Sequence, residues 1–170
     1  MENKSYITID KSEWSKGEWQ DEPDKMQFVD EATGYSCLIV RNSLGCLCGY
    51  VGIMRDHSLY GVDYNDDKFN NIDVHGGLTF SDKCNQHDCE SKGICHVVED
   101  GEDDNVWWLG FDCAHCKDYC PYQIFKYDKI IPENYMYRNI HYVKNEIKNL
   151  ARQLSEMNTN VLMTSEEINK

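Results

Sequence analysis

Two imidazoles and a carboxylate, His75, Asp112 and His115, are the side chains of this 170-residue chain best suited to proton transfer. At the ends of two neighbouring strands they would converge on one patch, as acid, base and orienter or as ligands of a catalytic metal with an open position. Gly76 and Gly77 follow His75 and would let a phosphate or a ring approach backbone N–H groups. Arg41 and Asp118 add a charge of each sign, and Trp108 a ring able to stack a planar ligand. The expected catalytic residues are therefore His75, Asp112 and His115, with Arg41, Gly76, Gly77, Trp108 and Asp118 as ligand-binding residues. The alternative is that these polar groups knit the sheet margin together by internal hydrogen bonds.

The same region is rich in soft ligands. Of the nine cysteines, six lie between residues 84 and 120, and Cys113-Ala-His-Cys116 forms one zinc-type knuckle. The second pair would come from Cys84, Cys89, Cys95 or His96 at looser spacings, so the expected zinc ligands are Cys84, Cys95, His96 and Cys113. An odd number of cysteines, in a chain expected to be made in a reducing compartment, points to thiols or ligands rather than disulfides. The serine-hydrolase elbow, the phosphate-binding loop, the metalloprotease helix and the zinc-deaminase signature are all absent.

Thirty acids against seventeen bases leave a formal charge of -13. Residues 1–34 carry nine acids and four lysines, residues 82–118 ten acids and three lysines, and residues 126–170 six acids and seven bases. This field disfavours direct binding of duplex nucleic acid, which rests on basic side chains neutralising phosphate. An acidic face could instead occupy a basic cleft of a nucleic-acid-binding protein. No run approaches the roughly 18 apolar residues of a membrane span, and the first ten residues lack the pattern of a secretory leader, so a soluble cytoplasmic protein is expected.

The length suits a single domain over residues 1–170. Residues 1–34 read as an irregular acidic segment around one short strand at 6–9. Residues 35–41 and 47–53 read as an antiparallel hairpin, and 73–80 as a further strand in which Gly76 and Gly77 mark a bulge. Residues 82–105 form a polar excursion, 106–111 the clearest strand, and 117–136 an irregular stretch. From residue 137 to about 157, Ile140, Val143, Ile147, Leu150, Leu154 and Met157 recur at helical spacing. The fold expected is α+β: a mostly antiparallel sheet with a C-terminal amphipathic helix. That helix would dock on the sheet or, as the alternative, form the seam of a homodimer.

Three stretches together resemble a family of small proteins found in bacteriophages and bacterial genomes. They are Gly34-Tyr-Ser-Cys-Leu-Ile-Val-Arg41 running on to Leu47-Cys-Gly-Tyr-Val-Gly52, His75-Gly-Gly-Leu-Thr-Phe80, and Trp107-Trp-Leu-Gly-Phe-Asp-Cys-Ala-His115 with Asp118. The resemblance spans about residues 19 to 154. In the family pattern the last stretch ends Cys-Ala-His-Ala-Gly-Asp, whereas this chain has Cys116 and Lys117 at the middle two places. That departure shifts weight from the Cys113/Cys116 knuckle to His75, Asp112, Cys113, His115 and Asp118. The family has no settled general function, so the resemblance implies a setting, a short protein acting against host systems. Three expectations follow: a pocket that binds and sequesters or cleaves a small nucleotide-like host molecule, an acidic inhibitor of a nucleic-acid-binding host defence protein, or a metal-stabilised interaction scaffold.

Overall fold

Side-chain alternation builds the centre of the sheet. In β4 (Leu47–Ile53) Leu47, Val51 and Ile53 face one side and Cys48 and Tyr50 the other, and all seven residues of the strand are buried. Such a strand must be covered on both faces, and its neighbours show how. The computed structural model describes residues 2–84, 92–98, 105–127 and 133–168, with side chains as far as residue 159. Around β4 it arranges β1 (Lys4–Tyr6), β2 (Lys25–Val29), β3 (Ser36–Arg41), β5 (Phe80–Lys83) and β6 (Trp107–Asp112) in the order β1-β2-β3-β4-β6-β5. Every pairing is antiparallel. A short helix, α1 (Pro121–Tyr127), and the long α2 (Ile140–Ile168) follow, so the fold is α+β.

α2 covers the first face. Val143, Ile147, Leu150, Ala151 and Leu154 are fully buried against β4 and β3, so this part of the apolar stripe docks on the protein's own sheet. Gly49 makes this contact close: a Cβ there would stand 2.8 Å from Ile147 Cγ1. Asn139 caps the helix, its Oδ1 accepting the Tyr142 N–H at 3.0 Å, and Glu22 Oε1 accepts the Ile140 N–H at 2.9 Å. Both satisfy N–H groups of the first turn, and the Glu22 carboxylate also places negative charge where the helix N-terminus favours it.

The second face is covered by residues 92–97. Ile94 packs on Leu38, Cys48, Tyr50, Val106 and Trp108, while Lys25 Nζ donates to Cys95 O at 2.7 Å and the Gln27 amide exchanges hydrogen bonds with Val97. Lys25 and Gln27 are therefore buried polar residues on a strand, which corrects the expectation of an irregular opening segment with one strand at 6–9. The segment contributes two strands, β1 and β2.

Two further expectations are corrected. Residues 73–79 form a turn rather than a strand, because Gly76 (φ 67°) and Gly77 (φ 83°) both adopt left-handed backbone that cannot extend a ladder. Residues 121–127 are helical, with Pro121 at the first helical position, where its missing N–H costs nothing.

The expectation of unpaired cysteines also changes. Cys46 is joined to Cys120, tying the start of β4 to the start of α1 across a Cα separation of 5.1 Å, and Cys84 is joined to Cys95 across 4.7 Å. Among the described residues Cys37, Cys48 and Cys113 are free and buried, and Cys116 is free and exposed. Among these residues no helix is long and apolar enough to cross a membrane.

Replacing Ile147 with Asp buries a charge with no partner between Gly49 and Phe111. It should cost about 4 kcal/mol, read as a fall in the urea midpoint with an unchanged slope. An unchanged midpoint would mean that α2 does not dock through this face.

Candidate functional site

The turn after β4's polar loop is held from one flank of α2. Gly77 N–H donates to Val74 O at 2.9 Å and closes the turn. Glu146 Oε2 accepts the His75 N–H at 2.8 Å, and Asn149 and Gln153 both donate to Asp73 O at 2.8 Å. These contacts fix the His75 ring between two partners: Tyr142 Oη lies 2.9 Å from Nδ1 and Asp118 Oδ2 lies 2.7 Å from Nε2.

Asp118 is the centre of the site. Its side chain is 1% exposed, yet it accepts from His75, from Arg138 Nε at 2.8 Å and from the His115 N–H at 3.0 Å. Burial alone would raise its pKa; the hydrogen bonds from Arg138, His75 and the His115 backbone outweigh that effect and hold the carboxyl below its ordinary value. An ionised carboxylate only accepts, so His75 Nε2 carries a proton and donates it in the hydrogen bond to Asp118, while Nδ1 is hydrogen-bonded to the Tyr142 hydroxyl. Burial, and after it the charge of Glu146, raises the Tyr142 pKa and keeps that hydroxyl protonated. With both ring nitrogens engaged, His75 positions its neighbours and has no lone pair free for a substrate.

His115 packs against the turn from the other side. Its ring lies 5.6 Å from that of His75 and occupies the space beside Gly76, where a Cβ would collide with the imidazole. The room at Gly76 thus serves His115 and not a ligand, whereas Gly77 has open space beside it. His115 Nε2 is buried and makes no hydrogen bond, and its nearest carboxylate oxygen is Asp112 Oδ1 at 3.7 Å. The rest of the His115 side chain is 34% exposed and that of Asp112 30%, so the pair sits at the rim. Arg138 lies over the Tyr142 ring at 4.7 Å, and among the described residues its two Nη groups donate no hydrogen bond.

The other expected site residues lie elsewhere. Arg41 is sealed: its side chain has no exposed surface and donates to Asp24 Oδ1 (2.8 Å), Gly45 O (2.9 Å) and Tyr137 Oη (2.9 Å), with Glu22 alongside. It is a structural cation here and offers a ligand nothing. Trp108 is fully buried on the opposite face of the sheet, edge-on to His96, so it cannot stack a ligand in this corner. Cys113 is buried on the α2 face, where loss of solvation, and after it the charge of Asp118, pushes its thiol pKa up and disfavours a nucleophilic thiolate. The four expected zinc ligands do not converge, since Cys84 and Cys95 are bonded to each other and His96 and Cys113 lie on opposite faces. Among the described residues no three His, Cys, Asp or Glu side chains are grouped to hold a metal ion; His87 and Cys89 lie outside them.

Arg138, Tyr142 and Glu146 were not legible as site residues. They flank the apolar stripe of α2, and their partners lie tens of residues away in the sequence. No protein-family model, curated protein or solved structure matches this chain.

Two expectations follow. Because the Asp118 pKa is lowered on folding, its ionised form stabilises the fold above the unfolded value of about 4, and that stability disappears as pH falls through the folded value. Asp118→Asn should therefore cost about 2 kcal/mol at neutral pH, with the gap to the native protein closing in denaturant titrations below about pH 4. Lys117, at φ 73°, is the one non-glycine residue in left-handed backbone among those described. Lys117→Gly should raise stability and Lys117→Val lower it, each by about 0.5 kcal/mol or more in the same titration.

Proposed function

We propose that the corner formed by Asp112, His115 and Arg138, braced by His75 and Asp118, binds a small phosphate-bearing, nucleotide-like molecule and acts on it by proton transfer at His115. The observation that carries this reading is the His115 side chain, 34% exposed at the rim beside Asp112 and joined through Asp118 to an arginine whose Nη groups donate no hydrogen bond among the described residues.

The roles follow from the chemistry. Arg138, fixed through Nε by Asp118, offers its Nη donors to a phosphate. His115, part-exposed at the rim, exchanges a proton with the ligand, and Asp112 stabilises the imidazolium that forms. His75 and Asp118 keep the corner in register. The resemblance to phage proteins supplies the setting: removal of a host signalling nucleotide in the host cytoplasm, by cleavage or by sequestration. The charge of -13 favours a second reading, an acidic inhibitor of a nucleic-acid-binding defence protein. The acidic run at residues 99–104 that would form much of that face lies outside the described residues.

The test is incubation of the protein with ATP, NAD and cyclic dinucleotides, read by native mass spectrometry and anion-exchange chromatography. A nucleotide should be retained or converted. His115→Ala should abolish conversion, and Arg138→Lys, which keeps the charge but loses the fork, should weaken binding about tenfold. Wild-type behaviour of both variants, with intact melting curves, would overturn the reading.

A further inference from the structure

The opposite flank of α2 carries a different chemistry. Lys144, Lys148 and Arg152 follow one another at four-residue spacing and line one side of a groove of about 870 Å³; Phe28 and the β2–β3 turn, residues 30–33, form the other side. Three cations thus line one groove of a chain whose net charge is -13.

The stripe is not neutralised from within. Like charges at i,i+4 repel, so Lys148 between Lys144 and Arg152 works against the helix. Lys144 Nζ lies over the Phe28 ring at 5.4 Å, and Lys148 is exposed and makes no ion pair among the described residues. Arg152 pairs with Glu156 at 2.6 Å, but both side chains are 58% exposed, and such a pair is readily exchanged. Of the acids at the groove, Asp30 is turned inward, accepting from the Thr33 N–H at 3.1 Å and its hydroxyl at 2.7 Å. Glu31 and Glu156 remain at the rim.

We infer that this groove binds an oligophosphate, a run of two or three linked phosphates such as a nucleoside triphosphate carries. Successive cations on the stripe stand about 6 Å apart along the helix axis, a span that engages several linked phosphates better than one. The groove volume is that of a small-ligand site. The chain's net charge repels a nucleic-acid polymer, which would meet the acidic surfaces beyond the groove. The site faces away from His115 and does not depend on the function proposed for that corner.

Calorimetric titration of the full chain with inorganic tripolyphosphate, repeated with ATP, tests it. Lys148 and Arg152 are exposed, so the double variant Lys148→Ala, Arg152→Ala should keep its melting temperature while losing tripolyphosphate affinity about tenfold or more. His115→Ala should leave that loss, and the groove's own affinity, unchanged. In His115→Ala, equal affinity for tripolyphosphate and ATP places recognition in the phosphates alone, and ATP binding that is tighter and still sensitive to Lys148 and Arg152 adds the Phe28 side of the groove; both support the site. It is overturned if tripolyphosphate gives no saturable binding, if the double variant binds like the native chain, or if His115→Ala and Arg138→Lys alone remove the binding. Failure of the His115 corner, with binding still sensitive to Lys148 and Arg152, would leave the groove standing.

Discussion

The molecule depends on one contact, the seating of the α2 apolar stripe on β4 and β3. Ile147 reaches the sheet because Gly49 has no side chain, and Val143, Leu150, Ala151 and Leu154 follow it into the same interface. A helix docked this tightly cannot rotate, since any turn about its axis would lift these residues from the core. Its two flanks are therefore presented at fixed angles. One meets the turn after Asp73 and holds His75; the other faces the β2–β3 turn.

Two buried carboxylates anchor the helix start. Tyr137 donates to Glu22 and accepts from Arg41, which is bound to Asp24, while the next residue, Arg138, is bound to Asp118. For Asp24, as for Asp118, burial by itself raises the pKa, and the hydrogen bonds, from Lys11 first and then from the Thr8 and Ile9 backbone and Arg41, bring it below the ordinary value. Both carboxylates thus stabilise the fold in their ionised form. The N-terminal segment and the His115 corner are joined through consecutive residues, so displacement of one network strains the other.

The sequence was legible where burial follows apolar character and opaque where it does not. β6 and α2 announce themselves through Val106, Leu109 and Phe111 and through the stripe from Ile140 to Met157. β2 does not, because its fully buried side chains are Lys25 and Gln27, satisfied by main-chain groups 70 residues away. Residues 73–80 mislead in the other direction: Val74, Leu78, Thr79 and Phe80 suit a strand, but two consecutive left-handed glycines bend the chain. Spacing on strand ends suffices to bring His75, Asp112 and His115 to mind together, and Asp118 comes in only with the resemblance. It cannot find Tyr142 or Arg138, whose relevance comes from the angle at which α2 is docked, nor discard Arg41 and Trp108, which differ from pocket residues only in what surrounds them.

The His75–Asp118–Arg138 bridge also sets an order on how the protein comes into being. Synthesis delivers the His75 turn first, then the His115–Asp118 corner, and, only after both, Arg138 and the helix that bears Tyr142 and Glu146. Until that helix clears the ribosome, Asp118 has no guanidinium and His75 has no hydroxyl to face. The strands can pair during translation, but the corner around Asp118 closes only after α2 has been made. A nascent chain therefore carries a sheet before it carries the His75–Asp118–Arg138 bridge.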